Sequence, residues 1–126
     1  MLTVELPYPP SINHYWRRVG PRTLISRQGR KFRQDVEDAV RRGKGLLGKV
    51  PMQGNLAVEV VLHPPDRRRR DLDNTLKALL DALQHAGVYD DDSQIAQLLA
   101  QRGEPRPGGL AIVRIGPLAI PQGIQT

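Results

Sequence analysis

An alternation of apolar residues in the middle of the chain, closed by two prolines, constrains the fold most strongly. Within residues 55–63 every even position is apolar, which indicates a strand with one buried face: Leu56, Val58, Val60 and Leu62. Pro64 and Pro65 end that strand. Leucines then recur at helical spacing before Gly87, a candidate C-terminal cap: Leu72, Leu76, Leu79, Leu80 and Leu83. The sequence therefore predicts a strand, a loop and a helix in direct succession.

The flanking segments carry weaker patterns. Alternation over residues 2–6 predicts a first strand, and residues 110–115 predict a last one. Ser26 is a candidate N-cap for a helix that Gly43, Gly45 and Gly48 end and whose apolar face contains Phe32, Val36, Ala39 and Val40. Residues 95–102 remain ambiguous, because their apolar positions fit helical spacing and their composition favours helix.

Residues 9–18 show no regular pattern and predict a loop that mixes aromatic, amide and basic side chains. Asn13, Arg17 and Arg18 are candidates for contacts with nucleic acid or with a second subunit. Packing of the aromatic rings over a sheet edge is an equally good explanation of the same residues.

Size and charge set the class of protein. The 126 residues suffice for one domain, and a net charge of +6 favours an anionic partner. Fifteen of the nineteen basic residues are Arg, whose planar fork suits bidentate phosphate contacts. The chain has no Cys, no signal-peptide pattern and no apolar run of membrane-spanning length, so we expect a cytoplasmic protein without a membrane partner.

The loop after the central strand combines both signs of charge. Arg67, Arg68, Arg69 and Arg70 are candidates for phosphate contacts, although a solvated basic loop is the alternative. Asp71 and Asp73 offer the hard oxygen ligands that Mg²⁺ prefers, and extended backbone at a strand-to-helix junction can point both carboxylates to one side. Helix capping is the ordinary alternative for these two acids.

Lys77 lies four residues after Asp73 and four before Asp81. The three side chains form one stripe on the helix, either as a weak ion-pair ladder or with Lys77 directed at a phosphate. A second acidic run, Asp90 to Asp92, follows the helix and can join Asp71 and Asp73 only if the chain folds back; a polar turn is its alternative. The three histidines have no zinc-type pairing.

These residues together resemble the RusA-type Holliday junction resolvases. The likeness begins with Leu6-Pro7-Tyr8-Pro9-Pro10-Ser11 and Asn13, includes Ser26, Gly29 and Arg33, and centres on residues 65–74. It continues through Lys77, Asp81-Ala82-Leu83, Ala86-Gly87 and residues 91–94, and extends to about Ile115.

The resemblance implies a small α+β domain over residues 1–116, with a mixed sheet packed by two main helices. The composition of the closing segment predicts a flexible tail over 117–126. The resemblance also implies a strand over residues 95–102. Asp71, Asp73 and Asp92 match the metal-binding acids of the family and Lys77 its essential lysine, with Asp91 as an additional candidate ligand. Asp90 and Asp66 are then bystanders.

The activity implied is a homodimeric endonuclease that requires Mg²⁺, with Mn²⁺ as a substitute, and no small-molecule cofactor. Its substrate would be branched DNA, the four-way junction of recombination and repair, in a bacterial or phage-infected cell. Two symmetric nicks need two acidic sites, and one chain offers one, so the task itself predicts a dimer. The alternatives are a non-catalytic basic nucleic-acid-binding module and a nuclease for other branched DNA.

Overall fold

The computed structural model describes residues 2–43 and 50–118. The strands and helices in chain order are β1 (Leu2–Leu6), α1 (Ile12–Tyr15), β2 (Trp16–Val19), β3 (Arg22–Ile25), α2 (Arg27–Arg42), β4 (Leu56–His63), α3 (Leu76–His85), β5 (Ile95–Arg102) and β6 (Leu110–Pro117). Two 3-10 turns, Leu72–Thr75 and Asp92–Gln94, flank α3. The α+β class of small domain is confirmed.

The main sheet has the order β1-β6-β4-β5 and is mixed. β6 pairs antiparallel with both β1 and β4, whereas β4 and β5 are parallel, with Leu56 beside Ile95 and Leu62 beside Arg102. The strand that the family resemblance implied for residues 95–102 is therefore confirmed, against their local helical spacing. Pairing with a neighbouring strand has outweighed intrinsic propensity, which is a weak determinant.

One face of the sheet carries the hydrophobic core. The four apolar residues that predicted β4 are at most 2% exposed. They belong to one buried cluster with Val36 of α2 and with Leu79 and Leu83 of α3, each fully buried. On β4 the polar Glu59 lies between buried Val58 and Val60, and it is exposed. The sheet therefore has one buried and one solvated face, as its alternation predicted.

Both main helices have the predicted caps. The Ser26 side chain accepts a hydrogen bond from the Gly29 N–H at 2.9 Å and its hydroxyl donates to the Tyr15 carbonyl, so Ser26 joins α2 to the end of α1. At the end of α3, Gly87 has a φ of +83°. Its N–H donates to the Gln84 carbonyl and the N–H of Val88 to the Leu83 carbonyl, the two bonds of a Schellman motif.

The loop predicted for residues 9–18 is wrong. Residues 12–15 form α1, and residues 16–19 pair antiparallel with β3 in a hairpin that turns at Gly20, with a φ of +59°. Apart from half-buried Trp16 and Ile25, the hairpin residues are exposed, so no apolar alternation announces them. Tyr15 is fully buried, which confirms core packing for this ring.

The last strand is two residues longer than predicted, since it reaches Pro117. The Leu118 N–H then donates to the Asn55 carbonyl at 2.9 Å. Most of the segment predicted as a tail, residues 119–126, lies outside the described residues, as do Gly45 and Gly48. Among the described helices none is long and apolar enough to cross a membrane.

We predict that Gly29→Ala destabilises the fold by about 1–3 kcal/mol, although Ala is normally the better helix residue. An added Cβ would overlap the Tyr15 carbonyl oxygen and come within 2.7 Å of Ile25 Cγ1. Urea unfolding of Gly29→Ala measures the change, with Gln28→Ala at the neighbouring exposed position as the control. A gain in stability for Gly29→Ala would contradict the close packing of α2 on the β3 end.

Candidate metal and nucleic-acid site

The connection between the parallel strands β4 and β5 contains the acids and Lys77 of the predicted site. Asp71 has extended backbone, φ −78° and ψ 135°, directly before the 3-10 turn in which Asp73 lies. Both residues line one depression of about 570 Å³, together with Asn74 and Lys77. The strand-to-helix junction therefore brings Asp71, Asp73 and Lys77 together as the sequence predicted.

The carboxylates of Asp71 and Asp73 are exposed and make no hydrogen bond or ion pair within residues 2–43 and 50–118. Asp71 occupies the N-cap position of the 3-10 turn, yet its side chain makes no capping bond. Helix capping, the ordinary alternative for these acids, is therefore not what this structure shows. Two unpartnered carboxylates in one depression suit a divalent cation, because Mg²⁺ binds through one or two carboxylates plus waters and substrate oxygens.

Lys77 is exposed, and it has no ion-pair partner in the described part of the chain. The ion-pair ladder with Asp73 and Asp81 is therefore not formed. Leu76, Leu80 and Leu98 supply the apolar wall beside Lys77 in the depression. An uncompensated ammonium in such a place is available to an anionic ligand.

Asp81 instead pairs with Arg33 of α2. The Arg33 Nη2 and Nε atoms donate to Asp81 Oδ2 at 2.8 and 3.3 Å, and the Tyr15 hydroxyl donates to the same oxygen. Burial, followed by the bond to Asp81, raises the pKa of Tyr15 well above its usual range. No local sequence pattern indicates this triad, although Arg33 lies on the buried face of α2, four residues after Gly29 and three before Val36.

Asp92 lies beyond α3, just before β5, and is absent from the lining of the acidic depression. Its backbone N–H donates a hydrogen bond to Oε1 of Gln84 on α3 at 2.9 Å. Desolvation, then Asp91 and Asp81, raise the pKa of Asp92, and Lys77 opposes them. Asp92 is thus within electrostatic reach of Lys77. No group of three or more His, Asp or Glu residues within the described ranges is arranged to hold a metal ion.

The other two acids of the run have structural partners. Asp91 accepts a hydrogen bond from the Ser93 N–H at 3.1 Å in a capping box with Gln94, and that bond is the first cause of its lowered pKa. The Asp90 carboxylate accepts from Gln53 at 3.4 Å. Asp90 and Asp91 are therefore part of a polar turn, which was the structural alternative for the acidic run.

The four consecutive arginines are divided in the same way. Arg67, Arg68 and Arg69 are exposed, whereas Arg70 is half-buried and pairs with Asp66 at 2.6 Å; Arg68 also pairs with Asp66, at 3.9 Å. All four line a depression of about 490 Å³ that also includes Arg102 of β5. Arg102 donates to the Arg70 carbonyl at 2.7 Å and so fixes the loop against the end of the sheet.

Asp71 borders this basic depression, the acidic one and a third of about 600 Å³ that contains Tyr8, His14 and Arg69. Asn13, Arg17 and Arg18 line a further depression of about 570 Å³ at the hairpin. Ile12 lines both that depression and the acidic one. Neighbouring depressions therefore extend from the hairpin past the acids to the arginine loop.

Comparison with known proteins shows which family the chain resembles. The chain matches the model of the family described as endodeoxyribonuclease RusA over residues 7–115. It is 46% identical over 110 residues to the crossover junction endodeoxyribonuclease rusA of Enterobacteria phage HK97, covering 87% of this chain and 89% of the relative. A protein of Shigella sonnei named crossover junction endodeoxyribonuclease RusA is 36% identical over 117 residues, covering 90% and 95%.

We predict that Asp66 titrates apart from the exposed acids. The side-chain bond from Arg70, then the Arg68 N–H, lowers the pKa of Asp66 to about 2. Because the pKa of Asp66 is lower in the folded state, the ionised carboxylate stabilises the folded protein at pH values above its ordinary pKa. This contribution is lost as the pH falls through about 2. Carbon-13 NMR titration should place the Asp66 pKa near 2, and Arg70→Gln should raise it toward the ordinary value of 3.8.

The control for that titration is Arg69→Gln, since Arg69 makes no bond to Asp66 within the described residues. If Arg70→Gln left the pKa of Asp66 unchanged, the ion pair between Arg70 and Asp66 would be contradicted.

Proposed function

The chain belongs to the RusA family of endodeoxyribonucleases, and we propose that it resolves four-way DNA junctions by paired, magnesium-dependent nicks. One observation supports the location of the chemistry above the others: Asp71 and Asp73, both unpartnered, share a depression with unpaired Lys77. The resolvase domain would extend from residue 1 to the end of β6 at Pro117. DNA as substrate suggests action in the cytoplasm of a bacterial or phage-infected cell.

Asp71 and Asp73 are the residues we assign to Mg²⁺, with Asp92 as the third ligand and Mn²⁺ as a substitute. Their hard carboxylate oxygens fit these cations, and two such groups already satisfy the usual protein share of a magnesium site. When bound, the ion would polarise the phosphodiester and lower the pKa of a water. Asp92 is assigned from the family resemblance and lies outside the depression of Asp71 and Asp73, whereas Asp91 is a weaker candidate because its carboxylate caps a turn.

Lys77 would stabilise the negative charge that develops on the phosphate as the bond to the leaving oxygen breaks. A fixed cation beside the reacting group stabilises such charge more in a partly dry site than in water. Leu76, Leu80 and Leu98 form an apolar wall beside exposed Lys77, and bound DNA would displace water from its other side. Because the ammonium has no partner in the described residues, it needs no rearrangement before it meets the phosphate.

Backbone phosphates on either side of the nick would contact the arginines. Arg67, Arg68 and Arg69 are exposed beside the acids, and Arg17 and Arg18 with Asn13 lie on and beside the hairpin. Phosphate contacts of this kind give orientation without sequence information and make affinity fall with salt. Arg70 would act mainly through Asp66, with which it pairs.

A homodimer would supply the second nick, and we assign its contact to β5. This strand is one edge of the main sheet, with Leu98 and Leu99 40% and 57% exposed and no charged residue or proline from Ile95 to Gln101. An exposed edge of this kind can pair with a strand of a second chain. Antiparallel pairing of two copies with Leu99 opposite Leu99 would bring the basic end of one β5, at Arg102, toward the acidic start of the other.

We predict that Asp73→Asn lowers magnesium-dependent junction cleavage by about 100-fold or more while junction binding in Ca²⁺ persists, because only the metal site is changed. Gel assays on synthetic four-way junctions, forks and linear duplexes measure both quantities and identify the preferred substrate. Asp90→Asn is the matched control, and it should cleave at the wild-type rate. Full cleavage by Asp73→Asn would contradict its assignment as a metal ligand. No cleavage by the wild-type protein would favour the alternative, a basic nucleic-acid-binding module whose acids only shape the loop.

We predict that Leu99→Glu shifts the protein from dimer to monomer, since it places like charges at the centre of the β5 contact. Sedimentation velocity should give twice the 14.1 kDa chain mass for the wild-type protein and the single mass for the variant. Leu24→Glu on β3, where the leucine is 39% exposed, is the control and should remain dimeric. A Leu99→Glu dimer of unchanged stability would place the contact elsewhere.

A further inference from the structure

Lys77 has two carboxylates at ion-pairing spacing and is paired with neither. Asp73 precedes it by four residues and Asp81 follows it by four, and such neighbours on a helix normally attract. Asp73 is unpartnered within the described residues, so it remains free for a cation. Asp81 is the acid that needs another partner if the Lys77 ammonium is to remain unpaired.

Arg33 is that partner, and its position is fixed from several sides. Its guanidinium donates twice to Asp81 Oδ2, at 2.8 and 3.3 Å, and its Nε donates to the Tyr15 hydroxyl at 2.7 Å. The same guanidinium lies 5.6 Å from the ring centroids of both Tyr15 and Trp16. The Arg33 side chain is only 22% exposed, so it cannot leave Asp81 without losing all these contacts.

The bond to Asp81 also neutralises charge next to the proposed site. Without Arg33, the Asp81 carboxylate would be a second acid beside Lys77, and it already acts on Asp92 through space. It would compete with a DNA phosphate for the ammonium and would add negative potential where the phosphate must approach. Both effects would weaken phosphate binding and would destabilise the negative charge that develops on the phosphate during cleavage.

We propose that Arg33, oriented by Tyr15 and Trp16, is a positioning residue that occupies Asp81 and thereby keeps Lys77 available for the DNA phosphate. The inference rests on the proposed function, since it gives Lys77 its task there. Arg33 would act only by binding Asp81, and it would not contact the reacting atoms.

A purely structural role for Arg33 makes different predictions. The Arg33–Asp81 pair also joins α2 to α3, so its loss should lower stability in any case. If joining the helices were its only role, removing the second charge at Asp81 would not restore cleavage. If Asp81 competes for Lys77, neutralising Asp81 should restore it.

The test compares Arg33→Gln with Arg33→Gln/Asp81→Asn in single-turnover cleavage of a four-way junction. Arg33→Gln should be about fivefold slower or worse, the factor that corresponds to an ion pair of about 1 kcal/mol. The double variant should return to within about twofold of the wild-type rate, because the competing carboxylate is gone. A double variant as slow as Arg33→Gln, or an Arg33→Gln rate equal to wild type, overturns the proposal.

Asp81→Asn alone keeps the test valid if Arg33→Gln fails to fold. It removes the competing carboxylate and keeps a hydrogen-bond acceptor for Arg33, so cleavage should remain within about twofold of wild type. A loss as large as that expected for Arg33→Gln would show that cleavage needs the ion pair itself rather than an unpaired Lys77, and it would overturn the proposal. The wild-type protein distinguishes failure of the proposed function from failure of this inference. If the wild-type protein does not cleave junctions, the proposed function is wrong. If it cleaves but Asp81→Asn does not restore cleavage to Arg33→Gln, only the role of Arg33 is refuted.

Discussion

The parallel pairing of β4 with β5 is the constraint on which the rest of the molecule depends. Two parallel neighbours cannot be joined by a tight turn, so the chain needs a long crossover between His63 and Ile95. That crossover contains the arginine loop, Asp71 and Asp73, the helix with Lys77, and Asp92. One pairing in the sheet therefore places basic, acidic and catalytic candidates along one connected segment over the buried face.

The crossover also explains why the acids separate into two groups. Asp71 and Asp73 precede α3 and share a depression with Leu98 in the middle of β5, whereas Asp92 follows α3 and precedes the start of β5. The helix carries Lys77 and Asp81 between them, and both charges act on the pKa of Asp92. Elsewhere the structure uses its carboxylates for support: Asp66 holds Arg70, Asp91 caps a turn and Asp81 binds Arg33. Asp71 and Asp73, beside Lys77, have no such partner within the described residues.

Local patterns sufficed wherever burial or capping was regular. The alternation in β4, the leucine stripe of α3, the Ser26 cap and Gly87 all predicted what the structure contains, because each is determined by neighbours within a few residues. β5 followed only from family resemblance, since its partner strand is distant in sequence. The β2–β3 hairpin has almost no buried face to leave a pattern, and the Arg33–Asp81 pair joins two helices that no local spacing relates.

The central claim is that Asp71 and Asp73 form a cation site on the surface that contacts DNA. Anomalous diffraction from crystals soaked in Mn²⁺ tests it most directly, because the scattering locates the ion without reference to activity. The account predicts a peak within about 2.0–2.6 Å of carboxylate oxygens of both Asp71 and Asp73, with Lys77 unpaired beside it. A peak at Asp90 or Asp91 instead, or no peak at saturating Mn²⁺ in crystals where Asp71 and Asp73 are accessible, would contradict it.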